Sequence, residues 1–208
     1  MKKLIYLFVV VMLSGCSSLP KILSYNLPQD YKLEFNRALE ELNNIGLKHK
    51  YSAQFLNDQD FIKKRNFKLA YIEGTTIYID EFYFKYLHWW YDIAKKRGAK
   101  WTIKQEYICL LAHEIAHTET GLFSQPLETH LAVDRQAIEY CNKLGVTRCD
   151  YALALFLLNN CVAERTRTLG SYLIEGTGLT LGMVVGVGWT YYENDLYQRW
   201  AVFWQGCY

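Results

Sequence analysis

The chain has 208 residues, 51% of them hydrophobic, with 23 basic and 21 acidic side chains and a formal net charge of +2 at pH 7. This length suits one domain with a core of its own and at most a short appended segment. A charge balance so close to neutral gives no support to a nucleic-acid partner.

Residues 1–15 are predicted to be a signal peptide. A positively charged start precedes an apolar run at 4–13, which is too short to span a bilayer. The next letters, LSGC and SSLP, resemble the lipobox of bacterial lipoproteins, whose cysteine carries acyl chains such as palmitate. The resemblance implies lipidation at Cys16 and a membrane anchor in the cell envelope, and Ser17 in place of an aspartate points to the periplasmic side of the outer membrane. The alternative is an ordinary secretory signal with an incidental cysteine.

A proline-containing tether, residues 16–29, is expected to lead into a helix and three strands. The helix is predicted from about Asp30 to Asn44, because large apolar side chains recur there at spacings of three and four. A strand is expected in KHKYSAQFLND. The two runs of FKLAYIEGTTIYID on either side of Glu73-Gly74 are rich in Tyr, Ile and Thr, which predicts a β-hairpin.

Helices are predicted for most of the remaining domain. Asp80 is placed to cap a helix that ends before Gly98, and its aromatic run FYFKYLHWWY favours a place in the core over an interfacial belt or a substrate groove. Thr102 and Gln105 predict a capping box for the next helix, which is expected to end at Gly121.

Two further helices and an apolar tail follow. The first is predicted from Pro126 to Leu144, and the second is predicted to be capped by Asp150 and to reach about Thr168. Residues 171–208 form a glycine-rich apolar segment that is expected to pack on the domain. Its uncharged run at 176–192 is either buried or a membrane-associated hairpin, and an amphipathic helix, stapled through its cysteine, is expected after it.

The cysteines predict disulfides rather than a cysteine-based metal site. Five of them follow Cys16, in a compartment where bridges persist, and there is no CxxC pair. Cys109 is expected to be a buried free thiol because it lies on the apolar side of its helix. Two bridges are expected among the other four, with the pairing left open: Cys141, Cys149, Cys161 and Cys207.

The string LLAHEIAHTETG carries the clearest chemical signal. His113 and His117 lie four residues apart on a predicted helix, so both rings can face one point, and Glu114 is turned about 100° away. Two such histidines can bind Zn²⁺ while the glutamate acts as general base toward a zinc-activated water. These three residues therefore predict a zinc hydrolase site.

A third protein ligand is expected on the next helix, because a catalytic zinc site keeps three ligands and one open position. His130 and Asp134 are four apart and share a face, whereas Glu128 is turned away from Asp134 by roughly 120°. This arithmetic favours His130 as the ligand, with Asp134 orienting a ligand histidine through its other ring nitrogen. Asp134 or Glu128 as the direct ligand stays open.

The hairpin, LLAHEIAH and the helix with xxxxD and AIEYCNKLG together resemble the gluzincin metallopeptidases over about residues 67–168. The similarity is to the group of CAAX prenyl endopeptidases, heat-shock-type membrane proteases and their periplasmic lipoprotein relatives. In that group ExxxD on the second helix supplies a glutamate ligand and a supporting aspartate. Here His130 stands at the glutamate position and Asp134 is kept. The metzincin pattern is absent, since Thr120 and Phe123 occupy its glycine and histidine positions.

The resemblance implies an α+β fold, a mostly helical minimal zincin-like domain at 30–170 with a small β-hairpin or sheet over the active-site helix. It implies a membrane-tethered endopeptidase with Zn²⁺ as cofactor, acting on protein or peptide substrates. Tyr71–Ile79 would then pair with the substrate backbone, an ordinary internal strand being the alternative. An envelope adaptor with a structural zinc site and a zinc amidase for a non-protein amide stay open as other functions. The side chains able to stabilise an oxyanion are Arg165, Arg167, Tyr172, Tyr191 and Tyr192.

Overall fold

The computed structural model of the protein describes residues 19–57, 69–123, 126–177 and 197–207, with the backbone alone at 19–20 and 163–177. Its helices are α1 (Leu19–Leu23), α2 (Tyr31–Asn43), α3 (Glu81–Lys96), α4 (Ile103–Thr120), α5 (Leu127–Lys143) and α6 (Arg148–Thr177). Its strands are β1 (Ser52–Leu56), β2 (Ala70–Glu73) and β3 (Thr76–Asp80). Residues 197–204 form a last helical segment, α7. The predicted class, α+β with mostly helices and a small sheet, is confirmed.

The sheet is mixed, with strand order β1-β3-β2. β2 and β3 form the predicted antiparallel hairpin, whose turn contains Gly74 at φ 58°, and β1 pairs with β3 in parallel. Tyr71 and Tyr78 are cross-strand partners and stack with ring centroids 4.9 Å apart. Because β3 lies between β1 and β2, β2 is an edge strand of the described sheet.

Helix α4 lies at the centre of the domain. Thirteen of its 18 residues are buried, so it is covered on all sides rather than along one stripe. It packs against α2, α5, α6 and β2. Its first turn has the predicted capping box, in which Thr102 N–H donates to Gln105 Oε1 over 2.7 Å, and it ends at Gly121 in the left-handed region with φ 72°. The motif histidines are thus fixed on a helix held at both ends.

The aromatic helix α3 fills the core, as predicted. Asp80 caps it by accepting a hydrogen bond from Phe82 N over 2.9 Å. Most of its large side chains are buried, among them Phe84 and Tyr86. His88 lies in the same core, where its Nε2 is 2.6 Å from the hydroxyl of Tyr107.

The start of α6 differs from the prediction. Thr147, not Asp150, is the cap: Thr147 N donates to Asp150 Oδ2 over 2.8 Å, and Asp150 N donates to Thr147 Oγ1 over 3.2 Å. Asp150 is the acidic partner of this reciprocal pair at the third helical position, so the helix begins earlier, at Arg148. It also runs beyond the predicted end at Thr168, to Thr177.

The prediction of two disulfides is wrong. One bridge joins Cys149 to Cys207, whereas Cys141 and Cys161 are buried free thiols, as Cys109 was expected to be. Cys141 and Cys161 are both fully covered by neighbouring core side chains, so they serve as small apolar residues. The expected amphipathic tail helix is observed as α7, and Cys207 staples it to α6.

Several predictions concern parts of the chain that lie outside the described residues. They include the signal peptide at 1–15, the lipidation of Cys16 and, apart from the backbone of 176–177, the run at 176–192. Among the helices of the described ranges, none combines the length and the apolar composition that a membrane crossing requires.

Candidate metal centre

His113 and His117 face each other across one turn of α4. Their ring centroids are 4.8 Å apart, and their Nε2 atoms are 3.2 Å apart. His113 is only 8% exposed. The two nitrogens closest to each other are thus held in a site from which most solvent is excluded.

His113 is oriented through its other ring nitrogen. Its Nδ1 lies 2.9 Å from Oδ1 of Asp134, a fully buried carboxylate on α5. Burial on its own would raise the pKa of Asp134, but the charge of Arg199 and the hydrogen bonds from His113 and Arg199 hold that pKa well below its ordinary value. An ionised carboxylate only accepts hydrogen bonds, so His113 Nδ1 is the donor in this contact, and in the neutral ring the lone pair is then on Nε2.

His117 has the same tautomer for a different reason. Its Nδ1 is 2.6 Å from the carbonyl oxygen of Leu122, and a carbonyl can only accept. The left-handed turn at Gly121 directs the chain back so that this carbonyl faces the ring. Burial first, and then the nearby His113, lower the pKa of His117 to about 3, so the ring is neutral at pH 7. Its Nε2 therefore also presents a lone pair.

Two lone pairs facing each other are stabilised by a cation between them. With metal–nitrogen distances of 2.0–2.1 Å, a tetrahedral zinc site separates two ligand nitrogens by about 3.3 Å. The observed separation of His113 Nε2 and His117 Nε2 is 3.2 Å. The pair therefore matches the spacing that Zn²⁺ needs, and each ring has the outer hydrogen bond common to zinc-binding histidines.

A third imidazole comes from α5. His130 is 7% exposed, and its ring centroid lies 5.6 Å from that of His117 and 6.2 Å from that of His113. Three imidazoles around one tetrahedral ion have centroids about 5.2 Å apart, from the same metal–nitrogen distance. His130 and Asp134 are four residues apart, so one face of α5 provides both the third ring and the carboxylate behind His113.

The rings of His113, His117 and His130 lie close together, but their arrangement is not that of a complete metal site. Across the described part of the chain, no group of three His, Cys, Asp or Glu side chains is already placed to hold an ion. The reason is visible in the distances, because His130 lies up to about 1 Å farther from His113 than a tetrahedral arrangement requires. The Nε2 atoms of His113 and His117 have the spacing of two zinc ligands, whereas the ring of His130 lies slightly farther out.

The other predicted residues have distinct environments. Glu114 is 8% exposed and follows His113 directly on α4. Glu128 is exposed in the first turn of α5, whereas Asp134 uses one oxygen toward His113 and the other toward Arg199. Of the three open alternatives for the third ligand, His130 is the one whose ring lies beside both motif histidines. The oxyanion candidates at 165–192 lie outside the described side chains.

Two residues of the site were missed by the sequence analysis. The hydroxyl of Tyr151 donates to Asp134 Oδ1 over 2.6 Å. Arg199 on α7 donates to the same carboxylate twice, from Nε over 2.7 Å and from an Nη nitrogen over 2.8 Å. Arg199 is the only charged residue in LYQRWAVFW, and a lone charge in an aromatic helix signals a buried partner.

The hairpin lies over the end of α4 that carries the motif. Thr118 Oγ1, one residue after His117, donates to the carbonyl oxygen of Gly74 in the β2–β3 turn over 3.2 Å. This contact ties the sheet to the last turn of α4 and places the hairpin turn next to the histidine site.

No protein-family profile, curated protein or solved structure matches the chain.

Proposed function

We propose that the protein is a zinc-dependent endopeptidase in which His113, His117 and His130 hold the ion. The observation that carries this proposal is the 3.2 Å separation of His113 Nε2 and His117 Nε2, with both protons held on the opposite nitrogens by Asp134 and by the carbonyl of Leu122. This arrangement supports a divalent cation in particular, because it presents two neutral imidazole lone pairs at zinc spacing.

The charges nearest to the proposed ion belong to the Arg199–Asp134 pair: an Nη nitrogen of Arg199 lies 3.5 Å from His113 Nε2, and the charge of Arg199 contributes to the lowered pKa of His117. Arg199 approaches the ring of His113, with an Nη nitrogen 3.3 Å from its Nδ1. Asp134 neutralises that guanidinium through two hydrogen bonds. The pair is formally neutral, so it orients the imidazole without adding net positive charge beside the ion.

Glu114 is the general base of the proposed reaction. When bound, Zn²⁺ would lower the pKa of a water molecule to about 7 and polarise the substrate carbonyl. Glu114 would accept the proton of the attacking water and pass it to the leaving amine. Its place on α4, one residue after His113, keeps it beside the two histidines without making it a ligand.

The substrate class follows from the edge strand and the proposed anchor. An extended peptide can add to the outer edge of β2 through main-chain hydrogen bonds, which give affinity with little side-chain selectivity. The Thr118–Gly74 contact supports this path because it holds the hairpin turn at the histidine end of α4. With lipid on Cys16, the enzyme would act on proteins or peptides near the membrane of the cell envelope.

Metal content and proteolysis measured side by side test this function. Glu114→Gln should bind the same amount of zinc as the wild-type protein and cleave an unfolded protein such as casein at least about 1000-fold more slowly, because it removes the base and keeps the ligands. Glu128→Gln makes the same chemical change at an exposed position on α5 and should leave both measurements unchanged. Equal turnover by wild type and Glu114→Gln would refute Glu114 as the base.

A further inference from the structure

The C-terminal helix α7 reaches the metal centre and is joined to the domain by the Cys149–Cys207 disulfide. We infer that this disulfide controls the metal affinity of the site, because it keeps Arg199 in place on Asp134, the residue that orients His113. Arg199 is then a positioning residue, and opening the bridge weakens zinc binding. The inference rests on the proposed zinc site and extends it to a regulation by redox state.

Arg199 is the deepest side chain of α7. It is 2% exposed, and its Nε and Nη donors each bind a different oxygen of Asp134. Holding both oxygens fixes the plane of the carboxylate. Oδ1 then points at Nδ1 of His113, so the direction of the His113 lone pair depends on a residue that the tail supplies.

Among the described residues, other contacts also hold α7 on the domain, and Trp200 meets the ring of Phe156 on α6 at 5.6 Å. Arg148 donates from Nη to the carbonyl of Gln205 over 2.6 Å. Phe203 is buried and meets the ring of Tyr151 edge-on at 6.2 Å. Tyr151 itself donates to Asp134, so the first turns of α6 bind both the tail and the carboxylate. Loss of the tail from this surface would reach the metal centre directly.

The disulfide is placed to control this docking. Cys149 is in the first turn of α6, and Cys207 lies eight positions after Arg199, at a sequence separation of 58 from Cys149. Both cysteines are partly exposed, so a small reductant can reach the bridge. Without the covalent link, docking α7 must overcome the entropy of closing that long segment of chain.

The chemical step is a thiol–disulfide exchange. One thiolate of a dithiol reductant attacks a sulfur of the bridge, and its second thiol then closes the reductant's own disulfide. Two electrons and two protons pass from the reductant, leaving Cys149 and Cys207 as free thiols. The described free cysteines at 109, 141 and 161 are buried, so their thiols do not attack the bridge in an exchange of their own.

The test is zinc affinity, measured by competition with a chromophoric chelator, together with the absorption spectrum of the Co²⁺-loaded protein. We expect Arg199→Ala and the double variant Cys149→Ser/Cys207→Ser each to bind zinc about 10- to 100-fold more weakly than wild type, with an altered cobalt spectrum. Arg199→Lys keeps the charge without the two-point contact and should be intermediate. Val202→Ala changes an exposed residue on the same helix and should match wild type.

Combining the substitutions tests whether the disulfide acts on zinc affinity through Arg199. In the Arg199→Ala background, removing both cysteines should lower affinity no further, because the bridge acts through Arg199. Wild-type protein reduced by a phosphine, which leaves no added thiol to bind zinc, provides a second arm that needs no substitution. Circular dichroism confirms that each variant is folded before its affinity is compared.

The outcomes separate the two proposals. Zinc bound equally by oxidised and reduced wild-type protein, or by Arg199→Ala, overturns the inference and leaves the proposed function standing. If removing both cysteines lowers zinc affinity by the same factor in the Arg199→Ala background as in the wild-type background, the disulfide does not act through Arg199. Absence of zinc binding by oxidised wild-type protein overturns both proposals.

Discussion

Two histidines of one helical turn are held in the same tautomer by unlike partners. Asp134 fixes His113 from a neighbouring helix, whereas the carbonyl of Leu122 fixes His117 from its own helix end. The carboxylate requires long-range packing, and the carbonyl requires only a local turn. Removing either partner frees one ring to exchange its two nitrogens, and the pair then loses the facing lone pairs that would bind the proposed cation.

His88 illustrates the opposite use of an imidazole, as a core residue without a metal role. It is 4% exposed and bonded to the hydroxyl of Tyr107. Burial lowers the pKa of His88 to about 4, with Asp92 and Asp30 offsetting part of that effect. The folded protein therefore holds this ring neutral in a range where the unfolded chain, with an ordinary histidine pKa near 6.5, takes up a proton.

We predict a stability loss in mild acid that depends on His88. Because the unfolded state binds the proton more strongly, the contribution is zero above about pH 6.5 and grows by up to about 1.4 kcal/mol per pH unit as the pH falls toward 4. Urea unfolding of the metal-free protein at pH 7, 6 and 5 measures it. His88→Gln should show a shallower pH dependence than wild type. Parallel curves for wild type and His88→Gln would contradict the assignment.

The C-terminal end of helix α4 is connected to the orientation of His117. Gly121 has φ 72°, and a Cβ there would meet nothing within 4 Å, so glycine is required for backbone conformation and not for space. The turn at Gly121 sets the position of the Leu122 carbonyl, which binds His117. The helix cap therefore contributes to the orientation of His117 as well as to stability.

We predict that Gly121→Ala lowers both stability and zinc affinity. A non-glycine residue in the left-handed region costs about 1 kcal/mol, and relaxing the strain moves the Leu122 carbonyl away from His117. Gly98→Ala is the matched control, since Gly98 ends α3 with φ 83° and equal open space. Urea unfolding should show similar losses for both variants, whereas zinc titration should show weaker binding for Gly121→Ala alone. Equal zinc affinities of Gly121→Ala and Gly98→Ala would contradict the link between the turn at Gly121 and zinc binding.

At the scale of the whole molecule, the Cys149–Cys207 bridge closes a segment that spans much of α6 and all of α7. The sequence separation is 58 residues. Chain-entropy arguments give a bridge over a loop of that length about 4 kcal/mol of stabilisation, by restricting the unfolded chain. The bridge thus supports the fold and, by the inference above, the site.

We predict that Cys149→Ser/Cys207→Ser loses about 4 kcal/mol of unfolding free energy in the metal-free state. The midpoint of urea unfolding measures the loss, and the reduced wild-type protein should unfold near the same midpoint as the double variant. A reductant should leave the double variant unchanged. Equal midpoints for oxidised and reduced wild-type protein would show that the bridge contributes nothing to stability.

Several features that depend on neighbouring residues were predicted from the sequence, although the cap of α6 was assigned to Asp150 instead of Thr147. The hairpin at Glu73-Gly74, the capping box at Thr102 and the end of α4 at Gly121 are all local signals, and all are confirmed. Disulfide pairing was predicted wrongly because it depends on which cysteines the fold brings together. Arg199 was missed for the same reason, since its partner Asp134 lies 65 positions away.

The zinc-edge X-ray absorption spectrum of the zinc-loaded wild-type protein, with its metal content, tests the central claim most directly. The account predicts one Zn²⁺ per chain with three imidazole nitrogens at about 2.0–2.1 Å, and one imidazole fewer in His130→Ala. Substoichiometric zinc, or the same imidazole count in wild type and His130→Ala, would contradict it.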